Sequence, residues 1–325
     1  MMQNVQHDIS INSTLWSSTQ NSRLLCLQQH ASQLVPVNVC EFSLSHPGQV
    51  AVKAGEKVEV KLGADGDKVL VFTGTVMEVD WQMEQVKIRA ASAVRRLTNG
   101  YYNMYFERPL AGDIVEALCK EANVETGRID VGVLLDFYAL GDQIAAFDHI
   151  KQLAFRNGFD CYADEKDQLQ FVLPIPTNVH PFSYGVNVLN LQVEAAEDGI
   201  TGIEIYGESP ASLGQGPLAI NWLTKKEVKG SAGDDAGRRK RIIDPSIRNI
   251  QIATLMAQAQ LFKEKQKNKG QLRSLGRPDI RIGDMALITQ MPVSDQDGAY
   301  KVIGVHHQIH PRKGFTTLLN LEEVL

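Results

Sequence analysis

The sequence predicts an α+β fold that is mainly β: two similar small β-barrels with an α/β insert and a helix-containing insertion. Three observations predict it. Apolar and polar residues alternate near both ends of the chain, helical spacing occurs between them, and one ordered series of motifs occurs twice. With 325 residues, 43% hydrophobic and 22% charged, the chain is long enough to bury cores for two or more domains.

The first barrel is expected over residues 21–100, after an N-terminal arm of residues 1–20. The stretches "VNVCEFSLS", "KVEVKLG", "VLVFTGTVMEV" and "VKIRAAS" alternate as half-buried strands do. Turn signals separate them, and Asp65-Gly66 is a strong hairpin signal. Several short strands with turns between them are typical of a small barrel.

The α/β insert is expected over residues 101–175. Ile114, Leu118 and Ala122 fall at helical spacing. A second helix is predicted from an N-cap at Asp142 to a left-handed stop at Gly158. The segments "FDCYA" and "LQFVL" then predict a hairpin.

The second barrel is expected over residues 176–208 and 271–325, with strands in "NVLNLQVE" and "ITGIEIYGE". Residues 209–270 are expected to form an exposed loop and a helix inserted in that barrel, because glycine, serine and charged residues dominate up to residue 243. The helix is predicted to begin with Asp244 as N-cap and Pro245 as its first residue, and to continue to Lys269.

The repeated series begins in each copy with a glycine followed by an acidic residue and an alternating strand. In the first copy a strand glycine follows nineteen positions after the first glycine, and in the second copy twenty-one positions after it. Glycine inside a strand marks a bulge or a barrel corner, so these residues are predicted to let the barrel strands bend. They are Gly55, Gly74, Gly283 and Gly304. Three such chains about a threefold axis would place six similar barrels in a ring of approximate sixfold symmetry.

Composition argues against several classes of protein. Lys plus Arg number 33 against 38 Asp plus Glu, and this balance disfavours nucleic-acid binding through overall charge. The four cysteines form no CxxC pair and are interpreted as reduced thiols. The sequence shows neither a signal peptide nor an apolar run of about 18 residues, so we expect synthesis in the cytoplasm and no membrane partner.

Candidate chemistry is sparse, and the sequence predicts no catalytic, metal or cofactor site. On a strand His306 and His310 lie about 13 Å apart, too far to share a zinc ion, so His306, His307 and His310 are interpreted as surface or rim histidines. Cys161 with His149 is a weak nucleophile–base candidate, and a buried thiol is favoured. The stretch "GQGPLA" has two glycines of a dinucleotide fingerprint, lacks the third and is interpreted as loop.

A basic run forms a candidate partner-contact loop. Three interpretations stay open for it: a solvated loop, contact with a protein partner, and contact with nucleic acid. Its residues are Lys225, Lys226, Arg238, Arg239, Lys240 and Arg241.

The last segment, "GRPDIRIGDMALIT…DGAYKVIGVHHQIHPRKGFTTLLNL", resembles the end of phage late control gene D proteins, the hub proteins of contractile tails. That family commonly shows Gly-Asp before a strand, a "G-x-Y-x-V-x-x-V" run followed by histidine, and a closing "G-F/Y-x-T-x-L". "FDHIKQLAFRNGFDCYADEKDQLQF" is similar to the middle of the family, and "GEKVEVKLG…VFTGTVMEV" to its first barrel. The residues in the corresponding places near the end are Gly298, Tyr300, Val302, Val305, His306, Gly314, Phe315, Thr317 and Leu319.

The resemblance implies a structural, non-enzymatic hub without cofactors, which forms a homotrimer and joins the hexameric tail tube to a trimeric spike. Implied partners are a separate spike protein, the tail tube protein and other baseplate proteins, with nucleic acid only passing through the channel. The implied location is the baseplate of a phage tail or an extracellular injection particle. Two alternatives remain: a DNA-contacting channel protein and a cell-wall hydrolase of the tail tip.

Overall fold

The structure is a computed structural model that describes residues 5–19, 22–64, 67–194, 199–207, 228–234, 236–265 and 269–324. These residues form 21 strands and four α-helices, which confirms the α+β, mainly β fold class. Within these ranges no helix combines the length and the apolarity needed to cross a membrane.

The first seven strands form what we call the first β module. They are β1 (Val5–Ile11), β2 (Thr14–Ser17), β3 (Leu24–Ser32), β4 (Val39–Ser45), β5 (Lys57–Ala64), β6 (Val69–Trp81) and β7 (Gln85–Ala91). Their spatial order is β3-β4-β7-β6-β5-β1-β2. The predicted arm is wrong, because β1 pairs with β5 and β2 pairs with β1. Ile9, Ile11 and Trp16 are buried in the core of this module, and burying such large apolar groups favours pairing over a free arm.

The first insert follows this module and has its own core. Its elements are α1 (Arg95–Thr98), β8 (Met104–Glu107), α2 (Ala111–Glu121), β9 (Thr126–Ile129), β10 (Phe137–Leu140), α3 (Ala146–Asn157), β11 (Asp160–Ala163) and β12 (Leu169–Val172). The predicted hairpin of β11 and β12 is confirmed. Helix α3 begins at Ala146, where the amide donates to the Gly100 carbonyl, and not near Asp142 as predicted. It ends at Gly158 in the predicted left-handed conformation, φ 68°.

The second β module forms from strands on both sides of a second insert. The remaining elements are β13 (Val179–Ser183), β14 (Val188–Glu194), β15 (Gly202–Tyr206), β16 (Lys229–Gly233), β17 (Arg239–Ile243), α4 (Ile250–Lys265), β18 (Lys269–Leu275), β19 (Met285–Thr289), β20 (Gly298–His310) and β21 (Gly314–Glu323). The module has the order β14-β18-β21-β20-β19-β13, and its core is separate from that of the first module. Strands β20 and β3 pair and join both modules into one 13-stranded sheet.

The second insert is a small α/β unit in which α4 packs on a three-stranded sheet of order β16-β15-β17. Strand β15, from "ITGIEIYGE", was predicted to belong to the second barrel, and it is instead the central strand here. The predicted start of α4 is also wrong. Asp244 forms an ion pair with Arg156 at 2.6 Å, and the Asn249 side chain accepts the Gln251 amide at the helix start.

Candidate functional site

The two β modules repeat one five-strand arrangement. The order β3-β4-β7-β6-β5 in the first module corresponds to β14-β18-β21-β20-β19 in the second. The irregularities of register correspond as well. One lies between Val76 and Glu78 in β6 and between Val302 and Gly304 in β20. Another lies between Leu24 and Cys26 in β3 and between Val188 and Asn190 in β14. The repeat is therefore present in strand order and in bulge position.

Each module also contains the same glycine corner, residues 53–56 in the first and 281–284 in the second. Gly55 has φ +92° and Gly283 has φ +91°, a conformation that side chains rarely adopt. The Gly55 amide donates to the Val76 carbonyl at 2.8 Å, and the Gly283 amide donates to the Val302 carbonyl at 2.8 Å. Val76 and Val302 are thus counterparts in β6 and β20.

The acidic residue of each corner closes it in the same way. The Lys53 amide donates to the Glu56 carboxylate at 2.9 Å, and the Arg281 amide donates to the Asp284 carboxylate at 2.9 Å. Asp284 is fully buried, and His180 Nε2 lies 3.0 Å from its carboxylate. Burial opposes ionisation of Asp284, but hydrogen bonds from His180 and the Arg281 amide hold its pKa below its ordinary value. The Gly-acid motif of the sequence is therefore a structural corner with satisfied polar groups.

The predicted equivalence of Gly74 and Gly304 is shifted by two residues. Since Val76 corresponds to Val302, the counterpart of Gly74 is Tyr300, and that of Gly304 is Glu78. The hairpin before β20 is two residues shorter than the hairpin before β6, which accounts for the shift. Each glycine has a local reason of its own. A Cβ at Gly74 would lie 2.6 Å from the Ala91 carbonyl, and one at Gly304 would lie 2.9 Å from Asn320 Nδ2.

The two modules meet where the C-terminal half of β20 pairs antiparallel with β3. In this internal junction His306 lies opposite His30, and their rings contact edge to face at 5.9 Å. Gln308 lies opposite Gln28. One continuous ladder therefore joins the second module to the first.

The surface location predicted for the histidines is wrong for His307. It is buried, and its Nδ1 lies 3.0 Å from Thr317 Oγ1. Burial first, and then the nearby positive charge of Arg281, lower its pKa to about 3, so the ring is neutral at neutral pH. His306 and His310 are partly exposed. The described ranges hold no group of three His, Cys, Asp or Glu side chains suited to a metal ion.

Cys161 and His149 do not form a catalytic pair in the printed geometry. His149 Nδ1 lies 3.0 Å from the Tyr138 hydroxyl. Burial raises the pKa of the Cys161 thiol, which keeps it protonated and a poor nucleophile. Both groups are best explained by packing in and around the first insert.

The basic run is not a free loop where the structure describes it. Arg239 and Arg241 lie in β17 and contact Glu204 of β15, at 3.1 and 3.3 Å. Lys240 contacts Glu264 of α4 at 2.5 Å. Arg238 precedes the strand and is exposed. The sequence could not reveal the acidic partners, because they come from other elements. Lys225, Lys226 and the "GQGPLA" stretch lie outside the described residues.

Two strand edges stand out as candidate contact surfaces. Among the described pairings, β14 pairs only with β18, and the end of β6 pairs only with β7. The end of β6 is exposed where its counterpart in β20 is covered by β3. Met77 is 40% exposed against 6% for Ile303, and Trp81 is 51% exposed against 1% for His307. Unpaired strand edges with apolar side chains readily bind another strand.

No protein-family model matches the chain, and no curated protein sequence matches it. Similar solved structures include the 43 kDa tail protein of prophage MuSo2 from Shewanella oneidensis. It is 13% identical, with a TM-score of 0.71 over 98% of this chain and 98% of its own. The E. coli c3393 protein is a component of the type VI secretion system, described as similar to the T4 bacteriophage tail proteins gp27 and gp5. It is 8% identical, with a TM-score of 0.61 over 98% of this chain and 77% of its own.

A chain of the Francisella PdpA–VgrG complex is also similar. It is 9% identical, with a TM-score of 0.57 over 99% of this chain and 65% of its own. These similarities span nearly the whole of the present chain. It therefore has the fold of phage tail and type VI secretion proteins, and its resemblance to contractile-tail hub proteins is confirmed at the level of the fold.

Proposed function

We propose that three copies of the chain form the hub ring of a contractile tail or injection particle. The ring would join the hexameric tail tube to the trimeric spike. The observation that carries this proposal is the duplication of the β module together with the internal β20–β3 junction. A contact between two different surfaces of similar units generates a ring when the rotation closes. Six modules from three chains satisfy such a ring.

The proposal explains how a threefold object meets a sixfold one. The two modules are similar enough in strand order to occupy equivalent places around the ring. They differ in sequence and in their inserts, so one face of the ring is free to follow threefold symmetry. We accordingly propose the tail tube protein, a separate spike protein and other baseplate proteins as partners. Nucleic acid would only pass through the channel.

The same proposal assigns the chain a structural and not an enzymatic role. Its fold is that of tail proteins. The candidate groups Cys161 and His149 are engaged in packing, which supports a non-catalytic chain. We propose synthesis in the cytoplasm followed by assembly into a phage tail or an extracellular injection particle. Gly55, Gly74, Gly283 and Gly304 would shape the strands and corners of the ring.

A measurement of mass in solution tests the ring. One chain is 36.0 kDa, so three chains give 108 kDa. Native mass spectrometry over a range of concentrations is expected to show the 108 kDa species. A single species of 36.0 kDa at every concentration, both alone and with the spike protein, would contradict the proposal.

A further inference from the structure

We propose that the seam between neighbouring chains of the ring pairs the end of β6 of one chain with β14 of the next. The pairing is antiparallel and places Asp80 opposite Glu194 and Trp81 opposite Val193. This inference rests on the proposed ring, and it names the strands and the register through which one chain recognises a second copy.

The internal junction supplies the register. Strand β20 is the counterpart of β6, with Val302 equivalent to Val76. Strand β3 is the counterpart of β14, with the bulge at Leu24 and Cys26 equivalent to that at Val188 and Asn190. A ring of equivalent modules repeats its junctions. The β20–β3 ladder within one chain is therefore expected to recur as a β6–β14 ladder between chains.

Transferring the observed pairs gives the seam residue by residue. His306 opposite His30 becomes Asp80 opposite Glu194. His307 opposite Gln29 becomes Trp81 opposite Val193, an aromatic residue facing a β-branched one. Gln308 opposite Gln28 becomes Gln82 opposite Gln192, so a pair of glutamines recurs at equivalent places.

Burial supports both sides of this seam. Trp81 is 51% exposed although its counterpart His307 is buried under β3. On the other side Leu191 and Val193 are only partly buried, whereas their counterparts Leu27 and Gln29 are buried under β20. Each open edge thus lacks the strand that covers its counterpart. A second copy of the chain carries both missing strands, which makes it the occupant that fits.

The acidic pair gives the seam a distinctive charge pattern. Within its own chain Asp80 lies opposite Lys87, and Glu194 lies opposite Lys269. The four strands β7, β6, β14 and β18 would therefore carry a row of Lys87, Asp80, Glu194 and Lys269. The two central carboxylates repel each other, and the flanking ammonium groups compensate. The seam is thus weaker than an uncharged one and sensitive to single charge changes.

Cysteine cross-linking tests the register. Paired residues of neighbouring strands have Cα atoms about 4.5 to 5.5 Å apart, within the range of a disulfide. The variant Asp80→Cys/Glu194→Cys is expected to form covalent dimers and trimers on mild oxidation. The variant His30→Cys/His306→Cys is the matched internal control, and it should cross-link within one chain. In Asp80→Cys/Leu189→Cys the second cysteine is displaced by five residues, about 16 Å along the strand, so no ladder of oligomers should form.

The outcomes separate the seam from the ring. The wild-type chain has four cysteines of its own and gives the background under the same oxidation. Oligomers from Asp80→Cys/Glu194→Cys at more than about tenfold over that background support the seam. A 108 kDa species by native mass spectrometry without those cross-links overturns the seam and leaves the ring intact. A 36.0 kDa species without cross-links at every concentration overturns both.

Discussion

Replacing Lys301 with Met should destabilise the protein strongly, because Lys301 neutralises a buried carboxylate. Its Nζ lies 2.5 Å from Asp160 Oδ2, and the two side chains are only 6% and 5% exposed. Lys301 belongs to β20 and Asp160 to β11, so the pair joins the second β module to the first insert. Removing one partner of a buried ion pair typically costs about 3–5 kcal/mol of unfolding free energy.

Two neighbouring groups adjust this magnitude. Lys263 remains close to Asp160, and it donates a hydrogen bond to the Phe159 carbonyl at 2.8 Å. Its charge would partly compensate Asp160. Glu322 lies opposite Lys301 in β21, and burial raises its pKa while Lys301 lowers it. Loss of Lys301 therefore leaves a second carboxylate less compensated. With these opposing effects we expect a loss of about 3 kcal/mol.

Urea unfolding followed by circular dichroism measures this loss. Lys57→Met is the matched control, because Lys57 pairs with Glu59 at 2.9 Å while 66% exposed, and its loss should cost less than about 1 kcal/mol. The double variant Asp160→Leu/Lys301→Met should recover most of the stability, since both charges are then absent. A loss for Lys301→Met no greater than that for Lys57→Met would refute the reasoning.

Three further predictions concern the β modules. Gly74→Ala should cost about 1–3 kcal/mol in urea unfolding because its Cβ would meet a backbone carbonyl at 2.6 Å, whereas Gly48→Ala, with nothing within 4 Å, should be near neutral; equal losses would contradict this. His307 has a folded pKa of about 3, below its unfolded 6.5, so its contribution to stability is full above pH 6.5 and decreases as pH falls towards 3. At pH 5 the decrease is about 2 kcal/mol, and His307→Gln should remove that share of the pH dependence of urea unfolding. Glu194→Gln or Asp80→Asn should tighten association of chains about twofold to fivefold by analytical ultracentrifugation; a double variant that gains as much as both singles together would argue against a direct contact.

Local pattern was enough to predict many elements. The alternation of β4 to β7, the stripe of α2 and the glycine that ends α3 all depend on neighbours in sequence, and the structure has them. The pairing of β1 with β5 and the place of β15 depend on contacts distant in sequence, and both were predicted wrongly. Asp244 shows the same limit, because its carboxylate binds Arg156 instead of capping a helix.

The candidate site was predictable in part. Spacing revealed the duplication and the glycines Gly55 and Gly283, which share one backbone conformation. The correspondence of strand positions was not accessible, because the second hairpin is two residues shorter and only hydrogen bonding shows where the difference lies. The open edges of β6 and β14 were also inaccessible. Edge status depends on which strands pair in three dimensions.

Cryo-electron microscopy of the assembled hub measures most directly whether three chains supply a six-part ring. The rotation about the ring axis that superimposes β3 to β7 of one chain on β14 and β18 to β21 of the same chain is the quantity to determine. We predict one sixth of a turn, with the same rotation relating the second module to the first module of the next chain. A rotation far from one sixth of a turn, or one that differs within and between chains, would contradict the account.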